Sequence, residues 1–201
     1  MKKALRTIRT VLVCGLMMTA CGGGSTFKSN LPQSDVFGNL PALLEEHSMA
    51  TKKGIEKLEG ITDNDKLLKV QKELRKEYQE RQAVIEAEEA RIKEKEVPFT
   101  LTDELKASGQ YSVSSVRAES FGGFSITIVP LKVNGNLIGV NSVPVSLRFL
   151  AKDGSIIQQQ DNLQIYGGKD KATNFFISLD ADTEGKLKFA SIEFFAAEEA
   201  K

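Results

Sequence analysis

Hydrophobic and polar positions divide the chain into three stretches with different periods. An apolar run, Val11 to Met18, opens it. From Val36 the apolar residues Phe37, Leu40, Leu44, Met49, Ile55 and Leu58 recur at mostly helical spacing. Pro41 suits the first turn of such a helix and Gly60 its end, while Gly54 weakens its middle and marks a candidate kink. A second helix is predicted from a capping box at Thr62–Asp65 to about Glu96, where Pro98 stops it. Its seam, Gln71, Leu74, Tyr78, Arg81, Ile85, Glu88 and Ile92, is polar at several positions, which suits an antiparallel hairpin better than a coiled-coil rod. The second helix is the longer, so its end near Val84 to Ile92 either rests on the following domain or projects as a stalk. Self-association through that helix is the alternative use of the seam.

After Pro98 the period falls to two and the composition turns to Val, Ile, Phe, Ser and Thr. Gly122-Gly123, Asn134-Gly135, Asp153-Gly154, Gly167-Gly168 and Glu184-Gly185 read as turns. The strands predicted between them are 110–118, 124–133, 143–152, 156–163, 173–179 and 186–195, with 97–101 as a further one. Pro130 argues for an edge or a bulge. Leu187 and Phe189 share one parity and Ile192 and Phe194 the other, so a bulge is expected near Ala190–Ser191. Six or seven short antiparallel strands in about 100 residues fit a two-sheet sandwich. Phe149-x-x-x-Asp153-Gly154-x-Ile156 resembles the strand–turn–strand of small bacterial immunoglobulin-like domains, including FxLYD-type modules, although Ala151 and Lys152 stand where that motif has Leu and Tyr. The fold class is thus α+β, an N-terminal helical hairpin followed by an immunoglobulin-like antiparallel β-sandwich.

Charge changes the reading of the first stretch. Lys2, Lys3, Arg6 and Arg9 precede the apolar run with no acidic residue among them, and Thr19 and Ala20 lead to Cys21. The run is about 8–10 residues, where a membrane-spanning helix needs roughly 20. This is the three-part pattern of a secretory signal. Met18-Thr19-Ala20-Cys21 resembles the lipobox of bacterial lipoproteins, with Met for the usual Leu. The resemblance implies diacylglycerol on the Cys21 thiol, removal of residues 1–20 and acylation of the new amino terminus. Two or more acyl chains hold a protein firmly to a bilayer. Gly22 in place of Asp resembles outer-membrane sorting, and the lack of acidic residues in Gly22–Thr26 favours the periplasmic face over the cell surface.

The domain reading is a signal at 1–20, a flexible lipid tether at 21–35, a helical hairpin at 36–97 and a sandwich at 98–198. Residues 22–33 are rich in Gly, Ser, Asn and Pro, with an r.m.s. span of roughly 19 Å and a limit near 40 Å.

Composition narrows the function. The whole chain carries 27 basic and 27 acidic residues, so losing the four basic ones of the leader leaves a net charge of about −4. Such a chain does not attract nucleic acid by its overall field. Cys14 and Cys21 are the only cysteines, so the mature chain is expected to fold without a disulfide. His47 is the only histidine, so a His-dependent triad must use it, and a site needing two histidines cannot be built within one chain. It sits near Glu45 and Glu46 and reads as a boundary residue.

Asp180-x-Asp182-x-Glu184-Gly185 matches the first half of an EF-hand loop, but Ser191 takes the place of the closing Glu and a strand-joining turn is the plainer reading. Phe121 and Tyr166 sit beside glycine turns, where an exposed ring could stack on a sugar. The run Glu86–Glu96 reads as a solvated helix face or a partner surface. No Gly-x-Ser-x-Gly elbow or phosphate-cradling glycine loop is present, and no cofactor is expected. The expected function is a non-enzymatic, lipid-anchored envelope module binding a protein partner. A glycan- or small-ligand-binding lipoprotein is the first alternative, and a hydrolase using Asp180 and Asp182 the second.

Overall fold

The computed structural model describes residues 31–119, 122–135 and 141–196. The leader, Cys21 and Phe121 lie outside them. The chain forms two compact units. Among the described residues, one is Leu43–Ala87; the other joins Leu31–Ala42 to the segment from Glu88 onward. The architecture is α+β: helices first, then two sheets. Among the described residues, no helix is long and apolar enough to cross a membrane.

The first unit is an antiparallel hairpin made from most of α1 (Leu40–Leu58) and α2 (Asn64–Ile92). Gly60, at φ +86, ends α1 as predicted. The cap of α2 is Asp63, whose carboxylate accepts from Lys66 N at 2.7 Å, and not the expected Thr62. The face that α1 turns to α2 also differs from the one predicted. Leu43, His47 and Gly54 meet α2, whereas Met49 and Ile55 are exposed. Gly54 is therefore a contact and not a kink: a Cβ there would lie 3.2 Å from Leu74 Cδ2. His47 stacks edge-on to Tyr78, ring centres 4.5 Å apart. The seam read on α2 is half-buried or buried at all seven positions.

Among the described residues the second unit holds eight strands. They are β1 (Phe99–Leu101), β2 (Tyr111–Ala118), β3 (Gly123–Pro130), β4 (Asn134–Gly135), β5 (Asn141–Ala151), β6 (Ile156–Tyr166), β7 (Thr173–Ser178) and β8 (Phe189–Phe195). Two short helices complete it, α3 (Asp103–Ser108) and α4 (Thr183–Lys188). One sheet runs β1-β8-β5, with β6 on the far side of β5 and β4 continuing on β8's side. The other runs β2-β3-β7. Every pairing is antiparallel except β1 with β8, which is parallel, so the sheets are not purely antiparallel as expected.

Alternation explains why the sheets meet. Phe124, Ile126 and Ile128 of β3 are fully buried, as are Val145, Leu147 and Phe149 of β5. Phe124 lies 5.4 Å from Phe149 and 5.1 Å from Phe189, ring centre to ring centre, so aromatic side chains from both sheets share one core. The bulge expected near Ala190 is present: Leu150 pairs with Ser191 and Ala151 with Phe189, which skips Ala190 and lets Phe189, Ile192 and Phe194 all point inward.

Four other expectations are corrected. Pro130 ends a central strand, beyond the last pairing with β7, so it costs no ladder bond on that side. Asn134-Gly135 is itself a short strand on β5 and not a hairpin turn. Residues 183–188 are helix and not turn and strand, because Asp182 caps them and Glu184 pairs with Lys188 at 2.6 Å. The predicted strand 97–101 splits between the sheets: Val97 N donates to Val116 O of β2, and Phe99–Leu101 joins β8.

The end of the segment read as tether is built into this unit. Ser34 and Gly38 exchange backbone hydrogen bonds at 2.8 and 3.0 Å, and Ser34 Oγ accepts from Val36 N and Phe37 N. Gly38 has φ +56, and a Cβ on it would collide with Glu88 and Arg91. Glu88 Oε1 accepts from Asn39 N at 2.9 Å and pairs with Arg91 at 2.7 Å. Lys95 Nζ donates to Asp35 O. The final turn of α2 therefore rests in the sheet-bearing unit and does not project as a stalk.

Candidate functional site

Sheet β1-β8-β5-β6 carries a row of polar residues on its outer face. Register places Thr100, Glu193, Arg148 and Gln159 side by side across four strands. Arg148 and Glu193 form a part-buried ion pair, and the guanidinium lies 5.3 Å from the centre of the Phe195 ring.

Next along the strands, β6 is bulged. Val145 pairs with Leu163 and Leu147 with Gln160, so Asp161 and Asn162 together face Ser146. Asn162 takes φ +55, a left-handed conformation that Asn tolerates better than other side chains with a Cβ. Its amide donates to the buried Ser146 Oγ at 3.0 Å, which satisfies a group the ladder leaves out. Asp161 is thereby turned outward, and Gln159 Nε2 donates to its carboxylate at 3.1 and 3.2 Å.

These residues border a hollow of about 710 Å³ lined by Thr102, Glu104, Arg148, Gln159, Asp161, Asn162, Phe195 and Ala196. Thr102 and Glu104 reach it because Thr102 caps α3, accepting from Leu105 N, while the fully buried Leu105 fixes that helix. Arg148 is neutralised by Glu193, which leaves the carboxylates of Glu104 and Asp161 to set the sign: the hollow favours a cationic group. Beside it runs an open edge. Among the described residues β6 pairs only with β5, along 11 residues, and carries exposed Ile156 and Tyr166 at its ends.

No protein-family model, curated protein or solved structure matches this chain.

The residues singled out from sequence are scattered. Tyr166 is 63 % exposed at the end of β6, so its ring is available to a partner. Asp182 and Glu184 make separate local contacts: Asp182 Oδ1 accepts from Gly185 N at 2.8 Å, Glu184 holds Lys188, and the main-chain N–H of Asp180 donates to Gln158. Among the described residues, no three His, Cys, Asp or Glu side chains gather as a metal site. His47 is half-buried in the hairpin, where burial first and Arg81 second hold its imidazole below the ordinary value. Of the Glu86–Glu96 run, Glu88, Arg91 and Lys95 serve the clasp around Gly38.

Sequence reasoning missed Asp161, Asn162, Arg148 and Phe176. Asp161-Asn162 in mid-strand is a pair of residues disfavoured in sheets and was the available signal of a bulge. The doublet Phe175-Phe176 likewise forces one ring outward.

Proposed function

We propose that this chain is a bacterial lipoprotein, cut before Cys21 and anchored by lipid on that residue at the periplasmic face of the outer membrane, and that its C-terminal unit is an immunoglobulin-like sandwich binding an envelope protein. The partner supplies an extended segment that adds to the open edge of β6 and sets a basic side chain into the hollow.

The carrying observation is an 11-residue strand whose outer edge, among the described residues, pairs with no other strand and lies beside an acidic, polar hollow. An edge offers main-chain hydrogen bonds for affinity, and pockets beside it read alternate side chains for specificity. The sandwich reading is supported by the aromatic core shared between sheets, and the anchored delivery by the lipobox resemblance. The acidic pair Glu104 and Asp161, with no His near, suits recognition of a cation more than hydrolysis.

Site-specific photo-crosslinkers at Gln159 and Gln164, both exposed on β6, test this in living cells. One and the same envelope protein should be captured from both positions, not from Lys57 on α1, and Asp161→Lys should abolish its capture. Equal capture from Lys57, or capture unaffected by Asp161→Lys, would contradict it.

A further inference from the structure

β7 is one of the two outer strands of the three-stranded sheet, and among the described residues it pairs only with β3. Its six residues, Thr173 to Ser178, include no charge, no proline and no glycine. Proteins ordinarily protect such an edge with a charge, a proline, a bulge or a covering segment. The other long edges here differ from it: Lys95 and Val97 hydrogen-bond along β2, and β6 carries the charge of Asp161 in mid-strand, which opposes pairing with a second copy of itself while leaving its edge open to a basic segment. Among the described residues β7 has no charge, proline or bulge of its own, and Phe176 on it is 75 % exposed, more than any other large apolar residue described. A short, uncharged segment of high β-propensity is the kind that takes up another strand.

The phase of the ladder shows which groups are open. Leu179 N donates to Gly122 O, beside the Gly123–Ser178 pair, so the backbone groups of residues 173, 175 and 177 point toward β3. Those of Asn174, Phe176 and Ser178 point to the free edge. The Gln158 side chain covers part of it, donating to Ser178 O at 3.4 Å and accepting from Asp180 N at 2.6 Å. Asn174 and Phe176 are left uncovered.

We infer that β7 pairs antiparallel with β7 of a second copy of this chain, about a two-fold axis through Phe176. In that register Phe176 faces its own counterpart as a hydrogen-bonded pair. Phe175 stands opposite Ile177, and Asn174 opposite Ser178. Apolar residues meet apolar and polar meet polar, with no charge on either strand, and the two three-stranded sheets become one of six. A two-fold axis through the middle of β6 would instead set Asp161 against Asp161, so β6 is not the self-pairing edge. The interface is isologous and closes at two copies. Lipid anchoring, as proposed above, would raise the local concentration of copies and so favour this small interface.

The full-length chain carrying Cys14→Ser and Cys21→Ser, in mild detergent, is the material for the test. Sedimentation velocity should show a species of twice the chain mass that grows with protein concentration. Phe176→Lys, a surface change that opposes two like charges, should remove it with circular dichroism unchanged. Phe176→Cys should form a disulfide-linked dimer on mild oxidation at least tenfold faster than Lys57→Cys, because a hydrogen-bonded pair sets Cα atoms about 5.5 Å apart, within disulfide reach. A dimer that survives Phe176→Lys would overturn the inference. So would a chain that stays monomeric while Phe176→Cys cross-links no faster than Lys57→Cys. Neither outcome alters capture from β6, so the two interfaces stand or fall separately.

Discussion

The ring of Phe37 stacks on that of Phe189 with centres 5.5 Å apart, an interplanar angle of 28° and both side chains fully buried. A residue that precedes the first helix is thus part of the aromatic core between the two sheets, where Phe37 also lies 5.5 Å from Phe124. Phe37→Ala should therefore destabilise the whole unit by about 3–5 kcal/mol, the cost of a large cavity in a close-packed core. Urea unfolding followed by circular dichroism measures it. A loss below about 1 kcal/mol would mean that Phe37 is not in the core.

Gly38 is required for two independent reasons. Its φ of +56 disfavours any side chain, and a Cβ would displace the Glu88–Arg91 pair that also binds Asn39 N. Gly38→Ala should cost more than the roughly 1 kcal/mol of a left-handed alanine alone. The excess should shrink in an Arg91→Ala background, which removes one of the two clashing groups and releases Glu88 to shift away from the other. Simple additivity of the two changes would contradict the clasp.

Two groups give opposite reasons for a pH dependence on the acid side. The hydrogen bond from Arg91 holds the Glu88 carboxyl below its usual value of 4.5. Its folded pKa is lower than its unfolded one, so its contribution is present above about 4.5 and is lost as pH falls through the folded value. His47 is likewise held below 6.5, by burial and then by Arg81. For a base this means that the fold favours the neutral form, and stability falls as pH drops from about 6.5 toward the folded value. Denaturant midpoints from pH 8 to pH 3 should show both steps. His47→Phe should remove the upper and Glu88→Gln the lower; an upper step that persists in His47→Phe would contradict this assignment.

At the β6 bulge, Ser146→Ala would leave the Asn162 amide without its acceptor in a part-buried position. The expected cost is about 1–3 kcal/mol. Asn162→Gly, which relaxes the left-handed φ, should be tolerated, and Asn162→Val should not. Equal stability of the Gly and Val variants would show that the bulge does not depend on that conformation.

Much of the fold was legible because period and turn chemistry agree. β5, β7 and the Ala190 bulge follow from parity alone, since a one-residue change of phase in Phe189 to Phe194 has no other solution in a buried strand. The errors came where capping outweighed pattern. Glu184, Lys186 and Leu187 read as turn and strand, but the Asp182 side-chain cap and one i,i+4 ion pair make them helix. On α1, counting apolar residues chose Met49 and Ile55, whereas the helix presents Gly54 because close approach of Leu74 needs a small residue. Tyr166 was found from its place beside a glycine turn. The hollow was not, because its residues come from β5, β6, β8 and α3, far apart in sequence, and only register brings Arg148 to Glu193 and Gln159.

The proposed delivery to a membrane would govern which partners this chain can meet, so the state of Cys21 matters most. Intact-mass measurement of the chain purified from its native cells should give a polypeptide beginning at Cys21, heavier than its sequence mass by a diacylglycerol and an acyl group. An unacylated chain, or one that retains residues 1–20, would contradict the account.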